Sequence, residues 1–460
     1  LYFVNFRVIF IATVVTVTEV AMRFYDREEE LRILEDIYSQ STEYGKMTVI
    51  TGRRRVGKTL LAGKFSEDKK HLYFFISKKA ESLLCAEFAE QIRELYDDLI
   101  FGEIRNFSQI FELLLIKAKQ ERFVLIIDEF QEFFNINPSV YSELQKLWDK
   151  YKFQTKLNVI FIGSVYSLMT KIFQDKKEPL FGRADRIMYI KPFRIAVIKK
   201  ILSDSNAYNE ENLFFHYLFT GGNPRYEEIL INNKCFSLDQ IIEFTFSHDS
   251  PFLKEGRNSL IEEFGKDHGI YFSIIELISQ SKTSRSEIES IIEKSVGGQI
   301  DKLEKDYDII SPVRPFGSKK NTRSVKYYIK DNFIRFWFRF IYRYSSAVES
   351  GNFEYVKNIV RRDISVYSGK ILEMFFSELI SESGAYGTIG NYWETGNANE
   401  IDIVAADDLN KKLLFAEVKM NKSKFRLQDL KKKSLRLQEI YKGYKFEYKC
   451  LSLSDVKDYI

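Results

Sequence analysis

Residues 51–59 read Thr-Gly-Arg-Arg-Arg-Val-Gly-Lys-Thr, which contains Gly-x-x-x-x-Gly-Lys-Thr directly after a short apolar run and ahead of a helical stretch. Glycines let backbone wrap close to an anion, and the N–H groups of such a loop converge on phosphate at the positive end of the next helix. In this pattern Lys58 reaches the β- and γ-phosphates of ATP and Thr59 ligates Mg²⁺. The expected cradle is therefore the loop made of Gly52, Arg53, Arg54, Arg55, Val56, Gly57, Lys58, Thr59 and Leu60. The arginine triplet stands where other residues are usual, and solvated side chains facing outward are its expected arrangement. Downstream, Val-Leu-Ile-Ile-Asp-Glu (124–129) puts two carboxylates at the end of a buried strand. There Asp128 would hold the metal, through water, and Glu129 would orient or deprotonate the attacking water. A helix cap is the plainer use of Asp128-Glu129, but it leaves the upstream loop unexplained.

A second set of groups lies in the last hundred residues. "NEIDIVAADDLNKKLLFAEVKM" (399–420) reads as strand, polar turn, strand, and alternation puts Glu417 and Lys419 on one face. In a hairpin Asp402 sits across from Glu417, close enough to share a divalent ion. Such a carboxylate pair binds Mg²⁺ or Mn²⁺, the metal activates water, and a lysine stabilises the charge that develops. Glu-x-Lys on an exposed strand face is also common without any such role. Further on, Lys431, Lys432 and Arg436 would either lie along a phosphate backbone or form a solvated helix face.

These groups need elements to hold them. Apolar runs at 47–52, 71–77, 123–130 and 157–164 alternate with amphipathic helical stretches, which points to a parallel sheet covered on both faces. Residues 193–262 read as mainly helical. Residues 270–330 read as three helices and a hairpin with the basic tip Lys319-Lys320-Asn321-Thr322-Arg323, the layout of a winged helix. Its third helix carries Asp301, Glu304 and Asp306, which makes it a mediocre major-groove reader, so DNA binding and docking to protein or lid are both open. The aromatic and arginine-rich stretch 331–344 reads as a connecting strut. From 366 onward a helix, three strands, a helix and a last strand are expected.

The chain's 460 residues suggest several domains, and a net charge of +4 says little about partners. Three scattered cysteines and four histidines give no zinc or disulfide framework, which fits a reducing cytoplasm. No membrane association is expected. Residues 1–21 are apolar but broken by Asn5, Arg7 and threonines, a poor spanning helix. They are either translated leader ahead of Met22, or an extra strand or anchor.

The segments "FYDREEEL" (24–31), the phosphate loop, "IIDEFQEF", "FIGSVYSLM" (161–169), "PLFGRADRI" (179–187) and "GGNPRYEEI" (221–229) occur in the order seen in archaeal AAA+-like ATPases of the STAND-like branch. The chain resembles that family over nearly its whole length. The resemblance implies that Asp26 and Arg27 lie near the adenine and that Ser164 is a polar sensor. It also implies that Arg183 or Arg186 senses phosphate, within one chain or across a subunit interface, and that Pro224 abuts the base. The terminal region is similar to the PD-(D/E)XK nuclease fold, with Asp402, Glu417 and Lys419 in the motif, Glu373 as the helical acid, and Glu373, Asp402 and Glu417 as metal ligands. Glu400-Ile401-Asp402 departs from the motif's Pro-Asp.

The expected fold is α/β. It comprises a P-loop NTPase core (22–192), a helical lid (193–262), a winged helix (263–330), connecting helices (331–365) and a restriction-endonuclease-like domain (366–460). The expected behaviour is an ATP-driven switch coupled to a terminal domain that binds or cuts DNA. The alternative is a signalling ATPase whose terminal domain only binds nucleic acid or protein.

Overall fold

The computed structural model describes residues 24–96, 102–264, 268–319, 322 and 324–460. The leader and the tip residues Lys320, Asn321 and Arg323 lie outside them.

Strands β1 (Lys46–Thr51), β2 (His71–Phe75), β3 (Phe123–Asp128), β4 (Leu157–Ile162) and β5 (Arg186–Tyr189) form a sheet in the order β2-β3-β4-β1-β5. Every pairing in it is parallel. Parallel strands need crossovers that cover both faces, so β1, β3 and β4 are buried along their whole lengths. Helices Glu28–Gln40 and Lys58–Ser66 pack on one face around Leu34, Leu61 and Phe65. Helices Glu81–Leu95, Phe107–Lys117 and Ser139–Tyr151 cover the other. The sequence reading missed β5. It has four residues with one buried, so it makes no apolar run, and it joins the sheet by its register against β1, Thr48 to Arg186 and Thr51 to Tyr189.

Five helices follow between Ile195 and Phe264. Then come helices His268–Ser279, Arg285–Ile292 and Gly297–Lys305, and the antiparallel pair β6 (Ile310–Val313) and β7 (Lys326–Ile329). Ser284 and Glu287 form the capping box that starts the second of these helices. The strut continues from helix Asn332–Phe336 into a π-turn at Trp337–Ile341. Two expected boundaries fall inside continuous helices: Phe252–Phe264 runs through 262/263, and the 30-residue helix Phe353–Glu382 runs through 365/366. Accordingly, one apolar core spans the lid, the helix–hairpin module, the strut and part of the terminal domain.

The terminal domain is a mixed sheet of β8 (Thr388–Tyr392), β9 (Ile401–Asp407), β10 (Lys412–Val418) and β11 (Lys445–Leu451), ordered β11-β10-β9-β8. β8 and β10 run antiparallel to β9, and β11 runs parallel to β10. Helix Phe353–Glu382 covers one face. Leu430 and Leu437, from helices Leu427–Lys433 and Leu435–Ile440, close the other. Among the described residues, no helix is long and apolar enough to cross a membrane.

Candidate functional site

The loop after β1 turns on left-handed backbone at Arg55 (φ 65°) and Gly57 (φ 88°), and Gly57 opens helix Lys58–Ser66. At Gly52 (φ 144°) an added Cβ would lie 2.5 Å from the Ile190 carbonyl oxygen, so only glycine fits there. Lys58 Nζ folds back to donate to the carbonyl oxygens of Gly52 (2.9 Å) and Arg53 (2.7 Å). Burial pulls its pKa down to about 8, while Glu129 and Asp128 act in the opposite sense.

β3 brings the two acids to the cradle. Thr59 Oγ1 donates to Asp128 Oδ2 at 2.6 Å, Tyr73 Oη donates to the same oxygen at 2.9 Å, and the Glu129 N–H reaches Asp128 Oδ1 at 2.8 Å. Burial raises the Asp128 pKa against the Thr59 bond. The Thr59 hydroxyl and the Asp128 carboxylate thus form the hard oxygen pair that suits a phosphate-bound Mg²⁺. Glu129 takes left-handed backbone (φ 54°), and Ser164 Oγ, at the end of the adjacent β4, donates to its carboxylate at 2.8 and 3.0 Å. Gln131 also donates to Glu129. Sequence reasoning missed Tyr73 and Gln131. Tyr73 was legible only once β2 was known to pair with β3, with Tyr73 beside Ile126.

A cavity of about 520 Å³ opens over these groups, within the ~300–1,000 Å³ of small-molecule sites. Arg54, Arg55, Val56, Gly57, Lys58, Thr59, Leu60, Asp128, Glu129 and Ser164 line its phosphate end. Phe24, Tyr25, Arg27, Phe193, Pro224, Arg225 and Glu228 complete it. Arg27 is held by its guanidinium, which donates to the carbonyls of Lys191 (2.7 Å) and Val56 (3.3 Å) above the Phe193 ring. Asp26 is absent from the lining and faces Arg27 (3.8 Å) and Arg194 (3.6 Å).

The structure corrects the within-chain placement of Arg183 and Arg186 and the solvated placement of the arginine triplet, and it leaves untouched the expectation of a role across a subunit interface. Arg183 lies on the surface in a two-pronged pair with Asp149 (2.8 and 3.1 Å), and Arg186 is exposed at the start of the edge strand β5. Neither reaches the cavity of its own chain, because Asp185 bonds to Met47 and Arg186 pairs with Thr48, which holds the segment near the start of β1, at the opposite end from the phosphate loop. The arginine triplet does not simply face solvent. Arg53 turns inward, donating to the Asp308 carbonyl (2.5 Å) and the Asp331 carboxylate (3.3 Å), and Arg55 pairs with Glu255 at 2.9 Å.

In the terminal domain, Ala416 faces Ile403, which brings Glu417 and Asp402 together where the ladder ends. Lys419 Nζ lies between them, 2.7 Å from Glu417 Oε2 and 3.1 Å from Asp402 Oδ2. Lys433 reaches Glu417 Oε1 at 2.6 Å, a contact the run 431–433 did not reveal. Burial works against the Glu417 charge, but the two lysines hold its pKa below the usual range. Asp402, under burial beside Glu417, is shifted up. Glu373 is on the expected helix but pairs with Lys370 at 2.5 Å, and burial lifts its pKa to about 7. Among the described residues no group of three acids, cysteines or histidines is arranged to hold a metal, so Glu373, Asp402 and Glu417 do not form the expected ligand triplet. Two carboxylates with a lysine between them are what the fold assembles.

The hairpin β6–β7 lies against this domain. Phe316 N–H donates to the Asn391 carbonyl (2.7 Å), Trp393 Nε1 to Ser324 Oγ (2.8 Å), and Lys326 pairs with Glu400 (3.0 Å).

A parallel sheet with a phosphate loop after β1, and an acid pair at the end of β3 with β4 between those strands, defines a P-loop ATPase. Comparison with known proteins agrees. Residues 24–229 match the family described as an ATPase domain predominantly from Archaea, and residues 337–434 match archaeal and bacterial proteins of unknown function. The chain is 30% identical over 446 residues to an uncharacterised protein of Methanocaldococcus jannaschii, covering 95% of this chain and 94% of that one. It belongs to that archaeal ATPase family. A further 47 residues' worth of similarity, at 45% identity, links 10% of the chain to 76% of an uncharacterised ATP-binding protein of the same organism. In fold it resembles a Walker-type ATPase of Pyrococcus abyssi, with a TM-score of 0.54 at 17% identity, covering 69% of this chain and 96% of that one.

Proposed function

We propose that the chain is an ATP-driven switch whose terminal domain acts on the phosphodiester backbone of DNA. On the ATP side, Lys58 exchanges its two carbonyl acceptors for the β- and γ-phosphates, and Glu129, fixed by Ser164 and Gln131, orients water towards the terminal phosphate. Bound Mg²⁺ at Thr59 and Asp128 would neutralise phosphate charge. Lid residues Pro224 and Arg225 close over the nucleotide, and closure depends on the γ-phosphate because that contact differs between ATP and ADP.

The observation that carries the DNA reading is the meeting of Asp402, Glu417 and Lys419 at adjoining strand ends. A divalent ion would supply a hydroxide nucleophile there. The two carboxylates suit it by chemistry, once Lys419 moves from between them. Lys419 then faces the phosphoryl oxygens, and exposed Lys431, Lys432 and Arg436 lie along the backbone. The helices and hairpin of residues 268–329 serve as a winged helix that adds phosphate contacts.

The test is cleavage of linear, circular and branched DNA with Mg²⁺ or Mn²⁺, with and without ATP, by wild type and Glu417→Ala. Cleavage that disappears in the variant supports the reading. DNA left intact by both proteins turns the terminal domain into a binding module, as the full pairing of Glu417 with Lys419 and Lys433 would allow.

A further inference from the structure

The ATP chemistry above leaves Arg53 unused, although it has partners on both sides of a module boundary. Its carbonyl accepts from Lys58 Nζ at 2.7 Å. Its half-buried guanidinium holds the Asp308 carbonyl and the Asp331 carboxylate. Asp308 stands just before β6 and Asp331 just after β7, and Lys330 pairs with Asp308, so the arginine grips the root of the hairpin. Tyr189 of β5 adds a bond to the Asp308 carboxylate at 3.3 Å. The neighbouring arginines reach the lid: the Arg54 carbonyl accepts from Asn223, and Arg55 pairs with Glu255.

The far part of the same hairpin rests on the terminal sheet through Phe316, Ser324 and Lys326. Tyr328 of β7 lies under Lys370, 4.9 Å from its ring centre, and Lys370 pairs with Glu373 beside the Asp402–Glu417 cluster. A chain of contacts thus runs from the phosphate-binding lysine through the hairpin to Glu373, whose carboxyl feels the charge of Asp402.

We infer that Arg53 is a positioning residue that couples phosphate occupancy of the loop to the seating of the β6–β7 hairpin on the terminal domain. In the proposed ATP-bound state the Lys58 ammonium turns two of its three N–H donors from the loop carbonyls to the β- and γ-phosphates. When it leaves, the peptide carrying Arg53 loses its donor, and the guanidinium at the other end of that residue carries the change to Asp308 and Asp331. A ligand shifts an equilibrium only through contacts that differ between states, and Arg53 holds such a contact at each end. The inference rests on the proposed ATP switch, and the hairpin's motion regulates the terminal site if that site acts on DNA.

Hydrogen–deuterium exchange on the full chain, with and without a non-hydrolysable ATP analogue, tests this. Peptides covering the phosphate loop report occupancy, and those covering β6 and β7 report hairpin seating. In wild type, saturating analogue changes hairpin exchange by about fivefold or more. Asp331→Asn keeps the oxygen that caps Ile334 N–H but loses the charge that holds Arg53, and its hairpin response falls below about twofold while the loop is still protected. Arg53→Gln, compared at saturating loop protection, cuts the pair from the other side and gives the same loss. A full hairpin response in both variants, or none in wild type with the loop protected, overturns the inference. A wild-type loop that the analogue does not protect refutes the ATP switch itself, and the coupling falls with it.

Discussion

Lys58 gives ATP affinity a pH dependence that follows from its setting. With its pKa near 8, its protonated share falls from roughly nine-tenths at pH 7 to roughly one-tenth at pH 9. Only the ammonium form serves phosphate, and a bound polyphosphate restores the charge that burial disfavours. Affinity therefore drops about tenfold across those two pH units, about 1.4 kcal/mol. A terminal phosphate has its second pKa near ~6, so its titration lies below this window. Calorimetry in two buffers of different ionisation heat counts the proton directly, with uptake of roughly half a proton per nucleotide at pH 8 and roughly nine-tenths at pH 9. Lys58→Arg stays charged throughout, and its affinity, whatever its absolute value, is flat. An affinity constant within about twofold from pH 7 to 9, or an equal slope in Lys58→Arg, refutes the reasoning. The stability sign agrees: a base with a lowered folded pKa opposes folding most below pH 8, and that opposition fades as pH rises towards 10.5.

Glu129→Gln keeps nucleotide binding and lowers single-turnover phosphate release by ~10²–10⁴, while Ser164→Ala, which removes one hydrogen bond to that carboxylate, costs about tenfold. Equal hydrolysis by Glu129→Gln and wild type would remove Glu129 from the chemistry. Glu263 accepts from the Tyr166 N–H (3.1 Å) and Ser167 Oγ (3.3 Å), and burial lifts its pKa to about 7 from 4.5. A raised acid favours folding in its protonated form, so its penalty is absent below pH 4.5 and complete above pH 7. Glu263→Gln therefore stabilises the nucleotide-free protein by about 1–3 kcal/mol in denaturant titrations at pH 8 and leaves it unchanged at pH 4.5, whereas equal shifts at both would exclude titration as the cause.

What the sequence disclosed was local. The loop 52–60 and the acids 128 and 129 were legible because each sits at the end of an apolar run whose burial forces the strand. The succession of a helix, three strands, a helical stretch and a last strand in the terminal domain was legible for the same reason, and so was the approach of Asp402 to Glu417. Facts set by partners distant in sequence were not. Arg53 was expected in solvent, yet its partners lie 255 and 278 positions away. Arg183 is turned towards Asp149, 34 positions earlier, and nothing in its own motif discloses that partner. Helical periodicity locates helices and cannot show that one helix serves two domains, so both boundaries were drawn through Phe252–Phe264 and Phe353–Glu382.

The two sites share a feature that sets how each must work. Each holds its principal cation on an internal acceptor: Lys58 on two carbonyls of its own loop, Lys419 and Lys433 on Glu417. Affinity for a phosphate is then a difference between two sets of contacts. In the ATP cradle the internal acceptors are neutral, so a polyphosphate displaces them readily. In the terminal cluster the acceptors are carboxylates, and the two charges of Asp402 and Glu417 balance those of Lys419 and Lys433. That cluster, as it stands, has no net charge with which to draw in a phosphodiester. Its lysines become available only when another cation neutralises the acids, while Lys431, Lys432 and Arg436 remain exposed cations throughout. On the proposed DNA reading, initial capture depends on that exposed face, and engagement of Lys419 on the occupant of the carboxylates.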